Sequence, residues 1–247
     1  LCQGVSCVLA LYFVLRRLAR VRIEGDRARL FSGRILGEIV RIALPSTLQQ
    51  SFISVGNIVI QSVVNGFGAS VMAGYSAAIK LNNLVITSFT TLGNGISNYT
   101  GQNLGAGKPE RVRAGLKAGI RMVWLLCVPL VALYLLCGEA LIRFFMNAPS
   151  VLAVESGLQL LRVVAPFYFV VSVKLAADGV LRGAEMMRAF MVSTLTDLAL
   201  RVALAVFLSG SMGTLGVWSA WPIGWCVATG LSLLFYLRRF RKQPAAA

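Results

Sequence analysis

Five polar side chains, Gln50, Ser54, Asn57, Gln61 and Asn65, recur at spacings of three and four within residues 42–79, a stretch with no charged residue. That spacing lines them along one face of a helix. Hydrocarbon offers an amide no partner, so such a face must look onto other helices or a water-filled cavity. The chemistry on offer is hydrogen bonding to something polar inside an apolar medium. The next segment repeats the pattern with Lys80, Asn83 and Thr87. Lys80 lies about ten residues into its segment, about 15 Å deep at 1.5 Å per residue, where a charge costs about 2.5–3.5 kcal/mol on the insertion scale. Two polar stripes and an inserted lysine point to a polar cavity. The plainer alternative is interhelical hydrogen bonding that holds a bundle together.

Two ion pairs are written into the sequence at a spacing of four: Lys174 with Asp178, and Asp197 with Arg201. Each pair shares a helix face and is expected to neutralise itself there. The alternative is that an acid takes up a proton or a cation during a transport cycle, since intramembrane carboxylates are natural relay groups. Asp197 is favoured by its depth and Asp178 by its glycine-rich surroundings. Lys174 and Arg201 are their charge partners.

Other chemistry is absent. The chain has no histidine, which removes imidazole catalysis and histidine-ligated metals. Its five cysteines sit in apolar stretches without a CxxC pair and read as small buried hydrophobes. The glycine-rich segment GQNLGAGKPERVR at 101–113 lacks a phosphate-loop pattern, because Pro109 follows Gly107-Lys108. No nucleophile–base constellation is present. No enzyme, metal site or cofactor is expected.

The elements that must carry these residues are membrane helices. The chain is 57% hydrophobic and 13% charged, with mean hydropathy +0.76, against about 25% charged residues in a soluble domain. Residues 1–15 read as the end of a truncated spanning helix, because Arg16 and Arg17 follow the apolar run instead of preceding it. Residues 16–41 carry eight arginines and read as a basic cytoplasmic linker, part of it an interfacial helix. Six spans are expected over 42–237, at roughly 42–65, 70–100, 116–137, 152–181, 187–209 and 214–237. A basic tail, 238–247, closes the chain. Pairs such as Gly179 with Gly183 and Gly115 with Gly119 predict close helix packing.

The charge distribution agrees with that count. With 16–41 inside, the second and fourth loops of the bundle and the C-terminus are also cytoplasmic. Together these regions hold nineteen of the 24 lysines and arginines. The opposite side holds only Arg143, as the positive-inside rule requires of a six-span lobe with both ends cytoplasmic. The net charge of +15 therefore reflects topology, and no nucleic-acid partner is expected.

The sequence resembles multidrug and toxic compound extrusion (MATE) transporters. The residues that carry the likeness are Gly101-Gln102-Asn103-Leu104-Gly105-Ala106-Gly107 with Pro109 and Arg111, Leu44-Pro45-Ser46 through Gln49-Gln50 to Asn65-Gly66-Phe67-Gly68, and Asp178-Gly179-Val180-Leu181-Arg182-Gly183. The resemblance covers residues 38–240. It implies an all-α membrane protein, a six-helix bundle forming the second lobe of a twelve-helix exporter, preceded by the truncated end of a sixth helix. The implied function is efflux of small organic, mainly cationic, compounds by antiport with H⁺ or Na⁺. Its partners would be the lipid bilayer of the cell membrane and a missing N-terminal lobe. The sodium-linked acids of some members have no counterpart here: the first helix has none after Glu38, and the matching part of 152–181 is apolar.

Two other readings have distinct signatures. A lipid-linked oligosaccharide flippase needs a strongly cationic cavity, for which Lys80, Lys174 and Arg201 are the candidates. A non-transporting membrane scaffold would show both polar stripes fully packed against neighbouring helices.

Overall fold

Helical periodicity runs through nearly every segment, and helices are all that form among the described residues. The structure is a computed structural model and describes residues 2–18, 31–146 and 150–240. The helices are α1 (Cys2–Leu18), α2 (Gly33–Asn65), α3 (Ala69–Gly105), α4 (Pro109–Phe144), α5 (Val151–Val164), α6 (Tyr168–Gly183), α7 (Met187–Met212) and α8 (Thr214–Phe240). They fall into two units, residues 1–41 and 42–247. In the first unit the apolar side chains of α1 are exposed along its length. The expected linker and tail fall largely on 19–30 and 241–247, which lie outside the described residues.

Four segments are long and apolar enough to cross a membrane: α4, the run Val151–Gly183, α7 and α8. The other two expected spans are helical as α2 and α3, but their stripes of amides and hydroxyls dilute the hydropathy. Helix α2 starts at Gly33, earlier than the charge boundary at residue 42 suggested. The span expected at 152–181 is interrupted. Pro166 has no N–H for the helical ladder, and Ala165–Phe167 tighten into a single 3₁₀ turn between α5 and α6.

The glycine-rich segment is a correction. Residues 101–105 continue α3, and only Ala106–Lys108 turn. The stop comes from Gly107, whose φ of 69° is left-handed, while the Ala106, Gly107 and Lys108 amides donate to the carbonyls of Gln102, Leu104 and Asn103 at 2.8–3.0 Å. A glycine in that conformation closes the orphan carbonyls of a helix end. Pro109 then opens α4, where its missing N–H costs nothing.

In the second unit α3 packs against α4, α5 and α6, and α8 against α5, α6 and α7. The expected close approach at Gly179 and Gly183 is made with α3: a Cβ on Gly179 would strike the Gly93 carbonyl, and one on Gly183 the Ser97 carbonyl. The largest buried side chains are Trp218, Tyr134, Tyr168 and Phe89. Their core sits on one side of α3 and α6, and the polar residues gather on the other.

Candidate functional site

The polar faces of α2, α3, α6, α7 and α8 enclose a cavity of about 480 Å³ that opens to one side. Helix α2 supplies Gln49, Gln50 and Asn57, and α3 supplies Asn82, Asn83 and Thr90. Helix α6 brings Lys174, Asp178 and Arg182. Helix α7 brings Thr194, Asp197 and Arg201, and α8 brings Trp221 and Trp225. Three cations and two acids therefore face one space in an otherwise apolar bundle.

Each amide stripe contributes a pair of neighbours. Gln49 and Asn82 are buried, while Gln50, Asn57 and Asn83 remain exposed to the open cavity. Asn82 is fixed from behind, its Oδ1 accepting from the Tyr168 hydroxyl at 3.1 Å. Tyr134 in turn donates to the Leu81 carbonyl at 2.9 Å.

The Lys174–Asp178 pair forms as its spacing suggests, with Nζ 2.8 Å from Oδ2 and both side chains buried. Asp178 Oδ1 lies 2.6 Å from Ser232 Oγ on α8. Ser232 Oγ lies 2.6 Å from Ser193 Oγ on α7, and Ser193 Oγ lies 3.0 Å from the Ala228 carbonyl. Both serines are fully buried. The acid on α6 is thus tied through two hydroxyls to α7 and α8.

The expected pairing of Asp197 with Arg201 does not form. Both are buried on α7, but no ion pair joins them. The Arg201 guanidinium lies over the Trp221 ring, 4.6 Å from its centroid, a favourable cation–π arrangement. Asp197 Oδ1 is left with no hydrogen-bond partner, within electrostatic reach of Lys174 and Arg201. Arg182 donates to Asn94 Oδ1 at 2.9 Å and covers the Phe190 ring.

Of the residues expected to line a cavity, Gln50, Asn57, Asn83, Lys174, Asp178, Asp197 and Arg201 do so. Ser54, Gln61, Asn65, Lys80 and Thr87 are not among the lining residues. The cavity lies level with residues 49–57 of α2, so Gln61 and Asn65 sit about 6 and 12 Å farther along the axis. The Ser54 hydroxyl returns to the Gln50 carbonyl at 3.0 Å. On α3, Lys80 and Thr87 are turned roughly 90–100° from the face of Asn82, Asn83, Ile86 and Thr90. Lys80 is exposed and lies 5.8 Å from the Phe145 ring centroid. Gln49, Asn82, Arg182 and Thr194 were missed. The signal for the first two was their adjacency to Gln50 and Asn83, because a cavity wider than one side chain meets consecutive positions.

The MatE family model matches residues 45–207, well over half of the chain. The chain belongs to the MatE family. Members of this family are multidrug and toxic compound extrusion (MATE) transporters. Among curated relatives, the chain is 26% identical over 237 residues to the probable multidrug resistance protein YpnP of Bacillus subtilis, covering 96% of this chain and 52% of that protein. It is 27% identical to the multidrug resistance protein PmpM of Pseudomonas aeruginosa, covering 83% of this chain and 44% of PmpM. A shorter match, 26% over 141 residues, joins it to an FAD transporter of Shewanella oneidensis. The chain thus spans about half the length of the first two. Among solved structures, it superposes on an outward-facing multidrug resistance MATE transporter of the MOP superfamily with TM-score 0.83 at 22% identity, covering 96% of this chain and 54% of that one. A Pyrococcus furiosus MOP-superfamily transporter gives 0.74 at 21%, covering 81% and 45%. At these identities the MatE structures establish the fold.

Proposed function

We propose that this chain is the second lobe of a two-lobe MatE exporter that removes small organic compounds in exchange for an inflowing cation, H⁺ or Na⁺. The observation that carries the reading is the cavity: an amide-lined, charged space open on one side, within a bundle whose outer apolar side chains remain exposed. Such a space suits a polar or aromatic molecule that must cross hydrocarbon. Six helices, α2 to α8 with α5 and α6 counted as one, would span the membrane with both ends cytoplasmic. A first lobe would face the open side and complete the cavity. Coverage of about half of each relative supports that division. The relatives' names support a small organic substrate.

Amide side chains and the Trp221 and Trp225 rings would hold the substrate. The inflowing cation would meet the lobe at Asp178 or Asp197, the two acids on the cavity wall. A flippase for a pyrophosphate-linked glycan is less well supported, because Lys174 is already engaged by Asp178 and Arg201 by Trp221.

The test is dye efflux from everted vesicles carrying the assembled two-lobe protein, under an imposed proton gradient and then a sodium gradient. Efflux driven by either establishes the antiporter and names its ion. Efflux with neither gradient overturns the reading. The 247-residue chain alone, with half the cavity wall missing, is expected to show none.

A further inference from the structure

We propose that Asp178 is the proton-binding group of this lobe and that in the state described it is the protonated carboxylic acid, linked through Ser232 and Ser193 to the Ala228 carbonyl. The inference rests on the transport reading above and names its coupling ion and site.

The argument is a count of hydrogens. Three oxygen–oxygen contacts run in series: Asp178 Oδ1 to Ser232 Oγ at 2.6 Å, Ser232 Oγ to Ser193 Oγ at 2.6 Å, and Ser193 Oγ to the Ala228 carbonyl at 3.0 Å. Each needs one hydrogen, and each serine has one to give. A carbonyl only accepts, so the Ser193 hydrogen belongs to Ala228. The Ser232 hydrogen then belongs to Ser193. The remaining contact is filled by a hydrogen on Asp178 Oδ1. Oδ2 is free to accept from the Lys174 ammonium at 2.8 Å, so every group in the chain is satisfied.

Removing that proton reverses the series. Ser232 donates to the carboxylate, Ser193 donates to Ser232, and the bond to Ala228 is lost. That bond is a side-chain tie between α7 and α8, buried with no access for replacement water. The series ends at a backbone carbonyl and leads nowhere further, so it does not conduct protons. It converts one protonation at the cavity wall into the presence or absence of an α7–α8 tie. Helix α7 also carries Asp197 and Arg201, so the tie is linked to the cavity lining.

The charges around Asp178 are balanced in either state. Lys174 and Arg182 lie on its own helix, and α7 brings Asp197 within electrostatic reach of Asp178 and Arg201 within reach of Lys174. Helix α8 brings Ser232, and no ion pair to Asp178 comes from α3, α4 or α8.

The test is infrared spectroscopy of the chain in lipid nanodiscs with ¹³C-carboxyl aspartate. The sequence has only three aspartates, Asp26, Asp178 and Asp197, so the labelled bands are few. A protonated-carboxyl C=O band is expected at about pH 6, where an ordinary aspartate with pKa about 3.9 is ionised. It should persist in Asp197→Asn, vanish in Asp178→Asn and shift to higher frequency in Ser232→Ala, which removes its acceptor. No band at that pH, a band that survives Asp178→Asn, or one unmoved by Ser232→Ala overturns the proposal. Gradient-driven efflux without the band would leave the transport reading standing and remove only this inference. Loss of efflux with the band intact would do the reverse.

Discussion

Gly224 on α8 faces the Asp197 carboxylate on α7 so closely that a Cβ on the glycine would lie 2.7 Å from Oδ1 and 3.2 Å from the Asp197 carbonyl. The acid is therefore held against bare backbone, while the same oxygen has no hydrogen-bond partner. Gly224→Ala must push α7 and α8 apart or turn the carboxylate toward the cavity. Overpacking of this kind costs about 1–3 kcal/mol. We expect a lower thermal unfolding midpoint for the variant in detergent, and an unchanged midpoint would show that the contact is loose.

A second glycine contrast separates packing from propensity. Gly93 and Gly179 let α3 and α6 meet backbone to backbone, whereas a Cβ on Gly95 meets nothing within 4 Å. Gly179→Ala is expected to destabilise by about 1–3 kcal/mol through overpacking. Gly95→Ala is expected to stabilise by about 0.5–1 kcal/mol, the ordinary gain in a helix interior. Opposite signs in paired unfolding measurements are the expected result. Two changes of the same sign would mean that the α3–α6 contact is not what these glycines serve.

Gln159 supports the far end of the bundle. Its Oε1 accepts from Thr214 Oγ1 at 3.0 Å and from Trp218 Nε1 at 3.1 Å. Trp218 is completely buried and stacks on Tyr75 with centroids 5.5 Å apart. Gln159→Met keeps the shape and removes the acceptor, which strands a buried indole N–H at a cost of about 1–3 kcal/mol. Loss of stability with a blue-shifted, intact tryptophan emission would mark a lost hydrogen bond in an otherwise preserved core.

Much of the fold was legible because hydrophobic periodicity and charge sidedness are local signals. The helices over 42–240 and the Lys174–Asp178 pair follow from spacing alone. The glycine-rich segment was misread because composition suggested a loop, while one left-handed glycine was enough to make the turn and the rest stayed helical. The Asp197–Arg201 pair failed for a tertiary reason: Trp221, twenty positions beyond Arg201, offers the guanidinium its ring. The Ser193–Ser232–Asp178 series was invisible in sequence because its members sit on three different helices. Lys80 shows the limit of a one-dimensional depth argument, since depth along a helix says nothing about which way the helix is turned.

That last point gives a direct test of which amides hold substrate. Asn57 and Asn65 belong to the same stripe in sequence, but only Asn57 lines the cavity, and both are exposed. Exposure means that neither substitution strands a buried partner, so effects on binding are not confused with folding. A single hydrogen bond to a ligand is worth about 0.5–1.5 kcal/mol, or roughly two- to tenfold in affinity. Asn57→Leu in the assembled two-lobe protein is therefore expected to raise the substrate concentration for half-maximal efflux by that factor. Asn65→Leu and Lys80→Gln are expected to leave it within about twofold, because one lies farther along α2 and the other is turned away on α3. Equal losses for Asn57 and Asn65 would mean that the substrate path extends along the whole stripe. A loss at Lys80 would mean that α3 turns during the cycle to present a face it hides here.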